Sequence, residues 1–344
     1  MCGLTWNKGG ESVKMDLRNK IDIQYAKEYI LLGVCAVLVL MFSAIAPGQF
    51  LNKGNLGTMA RQIPELGLLS LAMMPVFLTG GTNLSNVATA SLSGIVTAMV
   101  MSGLYGAGMG PGVSVFLALL AGLGVALLCG LFIGFGVAWM GVAAMLFTLA
   151  TMTLFKGISM NLTQGAAVSG FPSGYYQFSR ASLLGIPALM WLFGLTVLFM
   201  TLLMGHTAWG RCVYMIGCNP TVSEYSGIRV KHVLLKVYLL SAVMSFLAAV
   251  VMTSRYNSAK VDYGSSYLLQ SLTACVLGGM DIKGGKGTVI GVVLAVVTLQ
   301  VISSGMNVLG INRFFTDVTT GGILILALAL NFFGERIRDN KIKK

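Results

Sequence analysis

The stretch whose reading decides the fold is Gly210–Lys231, GRCVYMIGCNPTVSEYSGIRVK, a polar island between apolar runs. Asn219 carries the side chain of a helix N-cap and Pro220 suits the first helical position. Thr221 to Ser226 supply about one and a half turns, and Gly227 offers the left-handed stop. The island reads as a short helix on the water side of a membrane protein. The plainer alternative is a solvated loop rich in turn residues.

The flanks support the membrane reading. Of 344 residues, 56% are hydrophobic and 10% charged, whereas a soluble domain carries about 25% charged residues. The chain is therefore expected to be an all-α, polytopic membrane protein. One helical span takes about 20 apolar residues. Candidates lie at 29–46, 64–80, 86–104, 112–139, 143–164, 186–206, 233–253, 265–280, 288–309 and 315–333, giving about ten. The second, with Arg61, Pro64 and Glu65, and the short one before Asp281 have the composition of broken helices. The domain order is a cytoplasmic tail at 1–28, a transmembrane domain at 29–334 with a water-side loop at 207–232, and a basic tail at 335–344.

The net charge of +12 would point to nucleic acid in a soluble protein; here its distribution matters more. With ten spans and both termini on one side, that side holds sixteen of the 23 Lys and Arg residues. The positive-inside rule makes it the cytoplasm, with the island on it. No nucleic-acid partner is expected. No small-residue cleavage site follows a short apolar core, so the first span reads as an uncleaved anchor, and Met15 is a candidate for the true start. The six cysteines are scattered, with no CxxC pair and two histidines in the whole chain, so no metal site is expected. Cys212 and Cys218 are assigned neither disulfide nor zinc.

One internal echo stands out. Val76–Leu84 (VFLTGGTNL) and Ala274–Ile282 (ACVLGGMDI) both end an apolar run with Gly-Gly, one residue, then Asn83 or Asp281. Six spans separate them, so both ends should face the same side, as in two parallel-oriented repeats. Paired glycines let a span stop inside protein, and a polar neighbour can satisfy the freed backbone.

Catalytic chemistry needs convergent titratable groups. The membrane region offers Arg61, Glu65, Lys156, Asp262 and Asp317, too few for an enzyme. Arg61 and Glu65, four apart, are expected to pair on one helix face. Lys156 can snorkel to the outer headgroups or face the protein interior. Gly284–Thr288 (GGKGT) fails as a phosphate loop, because Met280 stands where the first Gly belongs and Gly287 follows Lys286. Acidic relays of the kind that drive proton or sodium carriers are nearly lacking. The energy for any transport is thus expected from a partner gripping the island; a gradient-driven secondary transporter or channel is the alternative.

Five stretches in order resemble the permease subunits of bacterial ATP-binding-cassette importers for simple sugars of the ribose, galactose, arabinose and xylose type. They are Thr79–Ser85 (TGGTNLS), Thr148–Gly157 (TLATMTLFKG), Ser169–Gly174 (SGFPSG), Gly210–Ile228 and Val276–Gly287. The resemblance implies an inner-membrane permease that pairs with a second copy or a sister permease. Its other partners would be cytosolic ATPase subunits, which bind the ATP, and a periplasmic sugar-binding protein meeting loops such as 165–185. No cofactor is expected on this chain. The island becomes the coupling helix, with Arg211, Asn219, Pro220, Glu224, Ser226 and Gly227 at the ATPase contact. Thr79, Gly80, Gly81, Asn83, Gln270, Gly278 and Gly279 are candidates for the translocation pathway, although Asn83 and Gln270 have the alternative role of satisfying freed backbone. Asn83 and Leu268-Leu269-Gln270-Ser271 depart from the acidic residues usual at these places, and Asp262–Gln270 is closer to rhamnose and autoinducer-2 permeases.

Overall fold

A computed structural model describes residues 10–183, 185–312, 315–323 and 325–326. The chain is nearly all helical. The first half holds α1 (Gly10–Ile45), α2 (Lys53–Leu78), α3 (Asn86–Gly106), α4 (Pro111–Ala138), α5 (Ala144–Thr163) and the short α6 (Ser173–Arg180). After a two-residue antiparallel pair, β1 (Ser182–Leu183) with β2 (Ile186–Pro187), come α7 (Ala188–His206), α8 (Ala208–Cys218) and α9 (Pro220–Tyr225). The last part holds α10 (Val230–Tyr256), α11 (Tyr267–Leu277) and α12 (Val289–Val308). Residues 315–323 are helical as well.

Among the described residues, seven helices are long and apolar enough to cross a membrane: α1 from Glu28 onward, α3, α4, α5, α7, α10 and α12. α2 is long enough too, but it carries Lys53, Arg61 and Glu65, and its residues from Ile63 to Leu78 are all buried. It is the central helix, wrapped by α7, α10, α11 and α12, so protein and not lipid is its solvent. The break expected near Pro64 does not occur. Pro64 and Pro75 each remove one N–H from the ladder, yet the helix continues through both and starts at Lys53. α1 likewise starts at Gly10, inside the expected tail. The expected span 315–333 and the basic tail lie partly or wholly outside the described residues.

The short span before Asp281 is a half-length helix, α11, of 11 residues. The chain leading into it turns back along α3: Ser91 donates to the Val261 carbonyl at 2.8 Å, and Ala259 bridges to Val168. Ala259 and Val261 are buried in a cluster with Ile95, Ala98 and Met101.

The two Gly-Gly stretches both cap helices, one residue out of step. After α2 the left-handed residue is the first glycine, Gly80 (φ +79°); after α11 it is the second, Gly279 (φ +84°). Each then closes with a bond five residues back, Gly81 N–H to Val76 O and Met280 N–H to Cys275 O, both 3.1 Å. The loop that follows the second stretch returns to the first, because a Cβ on Gly284 would come within 2.6 Å of the Gly80 nitrogen. α4 reaches α10 through glycine as well: a Cβ on Gly130 would sit 2.7 Å from that of Ala242. Cys212 is a free thiol, so it forms no bridge to Cys218.

Candidate coupling site

The island is two helices joined at one residue. Thr207 caps α8, its hydroxyl accepting from Gly210 N–H at 3.0 Å. This first helix was missed by a reading that placed helical structure only after Asn219. Asn219 ends α8 and starts α9, its Oδ1 accepting from Val222 N–H at 3.1 Å, with Pro220 at the first helical position. Gly227 takes φ +82°, and its N–H reaches the Glu224 carbonyl at 2.9 Å. The cap, the proline and the left-handed stop thus stand where the sequence puts them. Of α9 only Ser223 is buried; Glu224 and Ser226 are exposed, Val222 is 59% exposed and Tyr225 89%. Arg211, on α8, is also exposed.

α8 buries Gly210, Val213 and Ile216. Its last turn rests on backbone. A Cβ on Gly217 would collide with the Leu78 carbonyl at the end of α2 and with the Gly285 nitrogen. Those two groups hydrogen-bond to each other at 2.9 Å. Beside them, the Tyr214 hydroxyl donates to the Gly287 carbonyl at 2.9 Å, and burial pushes that phenol up to about 12. The loop between α11 and α12 is itself closed by Lys286 and Asp281, 3.1 Å apart, and by Asp281 N–H to Lys286 O. So α8 and α9 are seated on the joint between the end of α2 and the α11–α12 loop. Gly217 and Tyr214 hold that seat, and the sequence reading assigned neither a role; the only signal was a glycine one residue before the shared Cys218–Asn219 junction.

The residues expected along a translocation pathway are not all brought together. Thr79, Gly80 and Gly81 lie at this end, where the Thr79 hydroxyl donates to Val76 O at 2.7 Å and a Cβ on Gly80 would meet the Lys283 carbonyl, while Gly278 packs against Gly291 and Val292 at the start of α12. Asn83 is buried next to them and is bonded through both its amide nitrogen and its amide oxygen. Its Nδ2 donates to Ser241 Oγ on α10 at 2.9 Å, and its Oδ1 accepts from Ser85 N–H and Ser85 O–H at 3.1 and 2.8 Å. Gln270 is elsewhere. It is half-buried in the first turns of α11, about 12 Å along the helix from Gly278.

Arg61 and Glu65 do not pair. Arg61 is exposed, while Glu65 is wholly buried and faces the other way, toward Arg255 at the end of α10. Arg255 Nη1 lies 2.7 Å from Glu65 Oε1, and Tyr256 and Tyr267 donate to Oε2 at 3.2 and 2.8 Å. Spacing along one helix favoured Arg61, but a carboxylate removed from water needs several donors at once, and only the meeting of α10 and α11 supplies three. Lys156 does not face the protein interior: its side chain is 52% exposed and lies 4.0 Å from Asp262.

The profile of the family described as branched-chain amino acid transport system / permease component matches residues 55–328. The ribose import permease protein of Bacillus subtilis is 33% identical over 86% of this chain and 89% of its own. An autoinducer 2 import system permease of Yersinia enterocolitica is 34% identical over 76% and 79%. The D-allose transport system permease of Escherichia coli is 30% identical over 93% and 97%. No solved structure matches. The helical bundle, the spans and these relatives agree, and the chain belongs to the simple-sugar permease family of ATP-binding-cassette importers.

Proposed function

We propose that this chain is the transmembrane subunit of an ATP-driven importer that carries a monosaccharide or similar small polyol inward across a bacterial inner membrane. In this reading the bundle has ten membrane helices in two parallel-oriented repeats, with both termini and the island in the cytoplasm. ATP is hydrolysed by a separate cytosolic ATPase, a periplasmic binding protein delivers the solute, and a second permease completes the dimer. Two of the relatives named above carry a monosaccharide in their names, ribose and D-allose, and the uncharged Asn83 and Gln270 suit a neutral solute.

The observation that carries the reading is the seat of the island. α9 has six residues, too few to hold a helix alone, and it presents Val222, Glu224 and Tyr225 to the outside. Through α8 it rests on the backbone joint of α2 with the α11–α12 loop. A partner pressing on Arg211, Asn219, Pro220, Glu224, Ser226 and Gly227 would move helix ends and not merely a loop. Thr79, Gly80, Gly81, Gly278 and Gly279 would be where that movement enters the pathway.

Reconstitution tests this directly. Proteoliposomes holding the permease with its ATPase, supplied with binding protein and labelled monosaccharide, should accumulate label only when ATP is present. Uptake driven by a proton or sodium gradient with no ATPase in the vesicle would overturn the proposal and favour a secondary transporter.

A further inference from the structure

One exposed face of α4 runs into an aromatic pair at the end of the helix. Leu128, Phe132, Phe135 and Trp139 are 67, 50, 55 and 38% exposed. Their spacing of three to four residues puts them on one helix face. The rise from Leu128 to Trp139 is about 16 Å, close to the roughly 15 Å of hydrocarbon in one leaflet. Phe135 stacks on Trp139 with centroids 5.8 Å apart. Trp139 then meets the edge of His232, in the first turn of α10, at 5.6 Å.

From His232 onward the surface is basic. Arg229, His232 and Lys236 are all exposed and follow one another at intervals of three and four residues on one face of α10. Lys231 adds a further exposed cation. Between Glu65 and Asp262 the sequence contains one acidic residue, Glu224, so little on this stretch of chain neutralises the patch. A one-leaflet apolar stripe therefore leads, through an aromatic residue suited to the membrane–water interface, to a cluster of cations.

We infer that this edge of α4 and α10 binds a phospholipid with a net-negative headgroup, one acyl chain lying on Leu128, Phe132 and Phe135 and the phosphate held by Arg229 and Lys236. A zwitterionic lipid covers the stripe equally well, but its ammonium group opposes the cations. Charge complementarity selects the anionic lipid, at roughly fivefold per Lys or Arg near an anionic surface.

Fluorescence of the full-length chain in phosphatidylcholine vesicles reads this contact. The vesicles carry a minor fraction of either brominated phosphatidylglycerol or brominated phosphatidylcholine, and W139F identifies the share of quenching that belongs to Trp139 among the four tryptophans. Brominated phosphatidylglycerol is expected to quench Trp139 selectively. In R229Q/K236Q the preference should fall by about thirtyfold, two charges' worth, and in R229K/K236R it should persist. Equal quenching by both lipids overturns the site, as does loss of preference in R229K/K236R. Quenching by neither lipid also overturns it, because a second copy or another protein would then cover the face.

Discussion

Glu65 and Arg255, 190 residues apart in the chain, meet at 2.7 Å with the carboxylate wholly shielded from water. Tyr256 and Tyr267 complete its shell. One acid thereby ties the middle of α2 to the end of α10 and the start of α11, the half-length helix that the irregular segment 257–266 precedes.

Removing Arg255 should cost more than removing the charge it serves. Arg255→Met leaves a buried carboxylate without its cation, a loss of about 3–5 kcal/mol by the behaviour of broken buried pairs. Glu65→Gln keeps the shape and an acceptor for the tyrosines, and Arg255, 19% exposed, can still reach water, so the loss should be smaller. The double variant should recover part of the first loss. Thermal unfolding of the four proteins in one detergent measures this; an Arg255→Met protein as stable as the parent would show that the pair is not desolvated.

Gly217→Ala should damage the seat of the island. Its methyl group would enter the Leu78–Gly285 hydrogen bond, where backbone on both sides leaves no side chain to yield. Overpacking of this kind costs about 1–3 kcal/mol. The expected results are faster proteolytic cutting within 207–232 and a loss of ATP-dependent uptake of about tenfold or more. Gly103→Ala on α3, which meets nothing within 4 Å, should change neither.

Tyr214 gives the same seat a pH signature. Its folded pKa is raised to about 12 by burial, above the ordinary value near 10. The stability it contributes is complete below about pH 10 and is lost as pH climbs toward 12. Tyr214→Phe removes the bond to Gly287, at a cost of about 1 kcal/mol. The gap in unfolding temperature between parent and variant should be constant from pH 7 to 9 and narrow above pH 10. A gap that narrows below pH 9 would mean that the hydroxyl is not buried against Gly287.

Asn83 and Ser241 should behave as one unit. Either Asn83→Leu or Ser241→Ala breaks the 2.9 Å bond between them, leaving a buried polar group unmatched at a cost of about 1–3 kcal/mol. The double variant should cost less than the sum, by a coupling of about 0.5–3 kcal/mol. The kinetics separate structure from pathway: a purely structural bond leaves the KM for solute unchanged in Ser241→Ala, and a raised KM would place Asn83 on the solute's route.

What could be read before the structure was local. Asn219, Pro220 and Gly227 encode a helix start and stop in adjacent residues, and α9 has those bounds. Gly-Gly encodes a helix end twice, and both ends occur, although nothing in the residues themselves says which glycine turns left-handed. What could not be read was long-range. Arg61 was the nearest cation to Glu65 along the chain, but the third dimension supplied Arg255. α2 was expected to break at Pro64, whereas burial on all sides keeps it whole. The contact of Gly217 with Leu78 joins residues 139 positions apart, and no periodicity in either helix announces it.

Asn219 separates the docking reading from a merely structural one. Its side chain satisfies one of the free N–H groups of α9, and Asn219→Ala should cost that helix about 1 kcal/mol, enough to fray six residues. Asn219→Asp restores the cap with a charge suited to a helix start. If α9 is what the ATPase grips, Asn219→Ala should lower uptake while leaving membrane insertion and the fold of α2 intact, and Asn219→Asp should restore it. Charge reversal at Arg211 or Glu224 leaves the cap in place and should let ATP hydrolysis run without uptake. Measuring hydrolysis and uptake in the same vesicles decides the matter: hydrolysis and uptake unchanged across all four variants would remove α9 from the coupling route.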